Sequence, residues 1–153
     1  MKLGILADTH LHSAAELPRD ILQALSQVDI IIHSGDFTSL GVLEGLREIG
    51  EVTAVWGNMD SDDIKSILPE KEILVVNNRR IGIIHGWGSP FGIEKRVREQ
   101  FDKVDIIVFG HSHQPKNEII DGVLFFNAGE ARNTFGLIEI ADDIKGRIVP
   151  VIF

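Results

Sequence analysis

Five short segments combine aspartate, asparagine and histidine with a glycine or a turn: Asp8-Thr9-His10, Gly35-Asp36, Gly57-Asn58, His85-Gly86 and Gly110-His111-Ser112-His113. Each directly follows a run of apolar residues, so each falls where a buried strand would end, which is where open α/β sheets bind ligands. A glycine there lets the backbone turn or approach an ion closely, while the packed strand holds the ligand in place. Carboxylate, amide and imidazole are hard to borderline donors suited to manganese, iron, cobalt, nickel or zinc, whereas an all-oxygen set would suit calcium or magnesium. The side chains of Asp8, His10, Asp36, Asn58, His85, His111 and His113 outnumber the ligands one ion takes up. Two five- or six-coordinate ions that share a carboxylate and keep positions for water and substrate account for them.

The elements that must position these side chains follow from apolar periodicity and turn chemistry. Residues 2–7 form a strand, residues 18–27 a helix with Ile21, Leu22, Leu25 and Val28 on one face, and residues 29–33 a buried strand. Pro18 suits a first helical turn, where its missing N–H is harmless. A helix over 40–49 stops at Gly50, a strand covers 51–56, and a short helix covers 62–68. Residues 75–84 read as a hairpin around Asn77-Asn78-Arg79-Arg80, followed by a helix over 92–101 and a continuous apolar strand over 104–109. The remainder is β: a hairpin over 119–124, then strands 134–140 and 147–153 paired around residues 142–146. A βαβαβ front half implies parallel strands with right-handed crossovers, and the hairpins imply antiparallel ones, so the class is α/β. Several strands are apolar at nearly every residue, which predicts burial on both faces and two packed sheets with helices outside.

With 153 residues, 44% hydrophobic and 25% charged, the chain reads as one domain over 1–153 that needs neither disulfide nor structural metal to fold. It contains no cysteine, which excludes thiolate nucleophiles, redox motifs and Cys-ligated metal sites. The opening residues do not form a secretory signal and no apolar stretch approaches a membrane span, so the expected location is cytoplasmic with no membrane partner. A net charge of −8 argues against a broad nucleic-acid surface, and the densest basic cluster, Glu94-Lys95-Arg96-Val97-Arg98, has the spacing of a solvated helix face. A homodimer through exposed apolar strand edges is compatible with the sequence.

The ordered set D-x-H, G-D, G-N, H-G and G-H-x-H resembles the calcineurin-like metallophosphoesterase superfamily over nearly the whole chain, and its length is most similar to the small bacterial and archaeal phosphodiesterase branch. The resemblance implies a double β-sandwich flanked by helices. It also implies that Asp8, His10 and His113 hold one divalent ion, that Asn58, His85 and His111 hold the other, and that Asp36 bridges both. Asp36 and Asn58 would then be catalytic, with a metal-bridging hydroxide attacking phosphorus in line. Manganese or nickel is favoured, with iron, cobalt or zinc also suitable, and the substrate is a small phosphoester. A phosphomonoesterase, or a non-catalytic interaction module of the same fold, is the alternative.

Two departures from the family pattern bear on specificity. Met59 stands where many members have a histidine thought to protonate the leaving group, so Asp60 or a neighbouring histidine would have to help, or good leaving groups would be favoured. Asn127-Ala128-Gly129-Glu130 replaces the usual Asn-Pro-Gly-Ser, which places a carboxylate beside the expected site. Trp87, His12 and Arg132 join Asp60 as expected substrate contacts. His33, inside an apolar run, is expected to be a hydrogen-bonded core residue or a support for Asp36.

Overall fold

The computed structural model describes residues 1–152, so Phe153, the last residue of the expected C-terminal strand, lies outside the described residues. The elements run β1 (Lys2–Leu6), α1 (Arg19–Leu25), β2 (Ile30–His33), α2 (Leu40–Ile49), β3 (Val52–Ala54), α3 (Asp62–Ile67), β4 (Lys71–Val76), β5 (Arg79–Ile84), α4 (Ile93–Arg98) and β6 (Ile106–Phe109). They continue with β7 (Lys116–Ile120), β8 (Val123–Asn127), β9 (Thr134–Ile140) and β10 (Ile144–Pro150). The strands form two five-stranded sheets, ordered β10-β9-β1-β2-β3 and β4-β5-β6-β8-β7. Within the first, β1, β2 and β3 are parallel; within the second, β5, β6 and β8 are parallel.

The near-continuous apolar runs are explained by the layers. Leu3, Ile5, Ile30 and Ile32 meet Ile81, Ile83, Ile106, Val108 and Phe126 between the sheets. The alternate residues Leu6 and Ile31 pack outward against Ile21, Leu25, Val42 and Leu46 of α1 and α2, and Ile84, Ile107 and Phe109 pack against Ile93 and Val97 of α4. Both faces of the inner strands are therefore dry, and each fully buried aliphatic side chain contributes about 1.5–3 kcal/mol. Among the described residues no helix is long and apolar enough to cross a membrane.

Asn77-Asn78 and Asp121-Gly122 have positive φ at both positions, as two-residue hairpin turns require, and they close β4–β5 and β7–β8. Strand β4 begins at Lys71, earlier than the expected residue 75, because its outer edge carries exposed residues that obscure the apolar signal. Pro18 caps α1 rather than entering it. The last hairpin turns at residues 141–143, not 142–146, and Gly146 lies inside β10. A Cβ at Gly146 would come within 2.7 Å of Asn117 Oδ1 and 3.1 Å of the Phe126 ring, so this glycine serves close packing and not a turn. Gly136 serves the same purpose on the other side of the ring, where a Cβ would meet Phe126 at 2.2 Å. Gly136→Ala should therefore lower stability by about 1–3 kcal/mol through overpacking. Urea denaturation reads this as a lower midpoint at unchanged slope; an unchanged midpoint would contradict the packing assignment.

Candidate metal centre

The carboxyl ends of the parallel strands of both sheets open onto one cleft, and the pairing of β1 with β2 continues into the loops beyond them. Asp8 N–H donates to Gly35 O and Thr9 N–H to Asp36 O, each at 3.1 Å. Asp8, His10, Asp36, His111 and His113 all have left-handed backbones, with φ between 49° and 69°. Non-glycine residues there cost on the order of 1 kcal/mol or more each, so the packed sheets hold strain at the positions that carry the polar side chains.

The expected ligands come together. One donor atom each from Asp8, His10, Asp36 and His113 lie within 4.8 Å of one another. His85 Nε2 is 3.3 Å from Asp36 Oδ2 and 3.9 Å from Asp8 Oδ1. The His85 and His111 rings meet edge to face at 5.3 Å, and His111 Nδ1 is 3.2 Å from Asn58 Oδ1. Asp36 thus lies within the Asp8–His10–His113 group and against His85, which in turn meets the His111–Asn58 pair.

Acceptors behind the imidazoles set their tautomers. His85 Nδ1 faces Ser34 O at 2.8 Å and His111 Nε2 faces Gly88 O at 2.8 Å. A carbonyl only accepts, so these nitrogens carry the protons and the opposite nitrogens present lone pairs to the cleft. His113 Nδ1 faces Glu130 Oε1 at 3.4 Å while its Nε2 faces Asp8 Oδ1 at 3.6 Å. Both carboxylate oxygens of Asp8 and Nε2 of His85 are buried without a hydrogen-bond partner among the described residues. Buried acceptors aimed at one another are unfavourable unless a cation lies between them, so the residues present fit divalent metal.

Asp36 is the most constrained of these groups. Its Oδ1 accepts from Met59 N–H at 2.8 Å, which leaves Oδ2 for the cleft. A Cβ on Gly57 would lie 2.2 Å from Asp36 Oδ1, which accounts for the glycine before Asn58. Asp60, expected among the substrate contacts, is instead buried behind the loop. Its carboxylate accepts from the backbone N–H groups of Asp36 (3.0 Å), Thr38 (2.8 Å) and Gly57 (2.8 Å), tying the Asp36 loop to the Asn58 loop and leaving no free proton donor. His33 ties the other side: its Nδ1 accepts from Gly35 N–H at 3.0 Å, its Nε2 donates to Thr9 Oγ1 at 3.2 Å, and its ring stacks on Phe37.

The other expected contacts are less central. Arg132 is 76% exposed and its Nε pairs with Glu130 Oε2 at 3.3 Å, so the structure joins it to Glu130. His12 is exposed, with its backbone bonded to Glu16 and Ser39 and its side chain outside the ligand cluster. Trp87 is 43% exposed on the loop after His85. That loop is held by Arg96, read from the sequence as part of a solvated face, whose guanidinium donates to the carbonyls of Trp87, Ser89 and Phe91. Nothing local in the sequence marks Arg96 for this role. Asn127 donates to Gly110 O (3.2 Å) and Ser112 Oγ (3.1 Å), so its loop does lie beside the histidines, as expected.

Burial pushes the Asp8 carboxyl up to about 7, against the lowering influence of His85 and His113. Burial also raises Asp36, but close contact with His85, the His85 charge and the Met59 N–H outweigh it and hold Asp36 below the ordinary carboxylate range. Burial lowers His85, yet contact with Asp36 and the charges of Asp36 and Asp8 overcome it and raise it above the ordinary imidazole range. His33 is held down to about 3, chiefly by burial and then by His85, and stays neutral.

The family model described as the calcineurin-like phosphoesterase superfamily domain matches residues 1–141. A probable metallophosphoesterase of Methanocaldococcus jannaschii is 32% identical over 99% of this chain and 82% of its own length. A phosphodiesterase of the same organism is 28% identical over 85% of this chain and 84% of its own. The solution structure of a Thermotoga maritima protein is similar with a TM-score of 0.78 at 31% identity, covering 97% of this chain and 98% of that one.

A metal ion held by Asp8 would need it as the carboxylate. Below pH 7 a proton competes for it, so apparent manganese affinity should fall by about tenfold per pH unit from this group, while Asp8 adds no dependence above pH 7. Calorimetric titration between pH 5.5 and 8.5 measures this; a flat profile would contradict it.

Proposed function

The chain belongs to the calcineurin-like phosphoesterase superfamily, and from that premise we propose that it is a phosphodiesterase working with two divalent cations. One observation carries the reading: the buried, unpartnered oxygens of Asp8 and Nε2 of His85 face Asp36, with His10, His113, Asn58 and His111 around them. Asp8, His10 and His113 would hold one cation, Asn58, His85 and His111 the other, and Asp36 both. Manganese or nickel best suits this mixture of nitrogen and oxygen donors, with iron, cobalt and zinc as alternatives. When bound, such a pair supplies Lewis acidity to a phosphate oxygen and lowers the pKa of a water toward neutrality.

The chain's own groups supply the positioning. The Met59 N–H fixes Asp36 Oδ1 so that Oδ2 is presented to the cleft, and the carbonyls of Ser34 and Gly88 hold the lone pairs of His85 and His111 toward it. Charge at the rim favours a diester over a monoester. Met59, Trp87 and Phe91 are exposed apolar side chains on the loops that carry Asn58 and His85, while the nearby Arg96 is occupied by three carbonyls and Arg132 by Glu130. A diester carries one negative charge and a second substituent for such a surface. The phosphodiesterase name of the Methanocaldococcus relative supports the same choice.

A thioether donates no proton, and the oxygens of Asp60 are bonded to backbone amides, so neither side chain protonates a leaving group. Substrates whose leaving groups are stable as anions therefore suit the site. After chelation and restoration of manganese, an aryl phosphodiester should be hydrolysed faster than the corresponding aryl monoester. Faster monoester turnover would favour the phosphomonoesterase reading, and no metal-dependent turnover of either would sink both. Asp36→Asn should lose more than the roughly 10–100-fold typical of an outer-layer change, because it disturbs both ligand groups. Met59→His should raise kcat for alkyl diesters by about tenfold or more while changing aryl diesters little, measured by steady-state kinetics.

A further inference from the structure

Among the described residues, Glu130 is the one side chain outside the expected ligand set that places a charge against an expected ligand histidine. Its Oε1 lies 3.4 Å from His113 Nδ1, and His113 Nε2 in turn lies 3.6 Å from Asp8 Oδ1. The glutamate itself is held from several sides. Glu130 O accepts from Asn133 N–H (2.9 Å) and Thr134 N–H (3.0 Å). Asn127 Oδ1 accepts from Gly129 N–H at 2.9 Å, Thr134 Oγ1 donates to Ala128 O, and Arg132 Nε sits 3.3 Å from the second Glu130 oxygen. Gly129 has φ +79°, and a Cβ there would meet Thr134 Oγ1 at 2.4 Å, so the turn that delivers Glu130 depends on that glycine.

The two ligand groups differ in what stands behind their histidines. His85 and His111 are backed by the neutral carbonyls of Ser34 and Gly88, and their group adds only the neutral amide of Asn58 to the shared Asp36. His113 is backed by a carboxylate, and its group adds Asp8. His113 is also 43% exposed, whereas His85 is 4% exposed, so packing alone does not hold the His113 ring. A carboxylate on the far nitrogen both fixes the ring and makes the near nitrogen a stronger donor. The opposing charge of Arg132 is largely in water and weakened by screening.

We propose that Glu130 is a positioning residue for His113 and makes the Asp8–His10–His113 position the tighter of two divalent-cation positions. The inference rests on the two-cation reading above. It assigns a function to the carboxylate that replaces the usual small residue of the turn: it acts on metal retention through His113, without touching the substrate.

The test is calorimetric titration of the metal-free full-length chain with manganese alone at pH 8, comparing wild type, Glu130→Gln and Glu130→Ala. The wild type should show two separable binding events. Glu130→Ala should weaken the tighter event by about 10–100-fold and leave the weaker one within about twofold, and Glu130→Gln, which keeps an acceptor oxygen without the charge, should fall between them. Nitrogen-15 NMR of the metal-free proteins supplies a readout independent of metal. His113 should be the Nδ1–H tautomer in the wild type and a mixture in Glu130→Ala, while the His85 signals, set by Ser34 O and Asp36, stay the same in both. Two events unchanged in Glu130→Ala, equal weakening of both, or an unchanged His113 tautomer would overturn the proposal alone. A wild type that takes up no manganese would overturn the two-cation reading and the proposal with it.

Discussion

Two carboxylates, Asp8 and Asp36, are held buried in one cleft with His85 between them, an arrangement that repels itself unless a cation is present. Much of the surrounding structure acts to keep them there. The parallel pairing of β1 with β2 runs on through Asp8 N–H to Gly35 O and Thr9 N–H to Asp36 O, fixing the two backbones relative to each other. Asp60 binds the Asp36 loop to the Asn58 loop through three amides, and His33 binds the Gly35 turn to Thr9. The left-handed conformations of Asp8, His10, Asp36, His111 and His113 are sustained by the same packing. Core stability is thus traded for a rigid set of unsatisfied donors, the pattern expected where a metal supplies the missing interaction.

The architecture explains why the site gathers residues from so far apart in the chain. Each sheet contributes parallel strands whose carboxyl ends point the same way, and the inter-sheet core of Leu3, Ile5, Ile32, Ile83, Val108 and Phe126 locks those ends together. His85 from the second sheet reaches Ser34 O and Asp36 of the first, so the sheets are joined at the site by polar contacts as well as by the core. Glycines complete the fit where side chains would intrude: Gly57 leaves room for Asp36 Oδ1, and Gly35 packs against Gly57 and His85.

Much of this was legible in the sequence, because strand ends and ligand types are local signals. Asp8, Asp36, His85 and the Gly110–His113 segment each follow an apolar run, and those runs are the strands observed. What was not legible depends on contacts between distant segments. Asp60 looked like a polar residue next to a ligand, and only the fold shows three amides from separate positions converging on it. Arg96 looked solvated, since the carbonyls it binds belong to a loop whose path no periodicity describes. Gly146 looked like a turn because glycine is punctuation in most sequences; its role beneath Phe126 depends on a neighbouring sheet. Glu130 could be placed beside the site, but its alignment with His113 required the Asn127 turn in three dimensions.

In the proposed reading these side chains hold two cations around Asp36. Anomalous scattering from crystals soaked in manganese tests that directly. Two peaks per chain are predicted, both coordinated by Asp36, one also by Asp8, His10 and His113 and the other by Asn58, His85 and His111. A single peak at saturating manganese, or peaks away from Asp36, would contradict it.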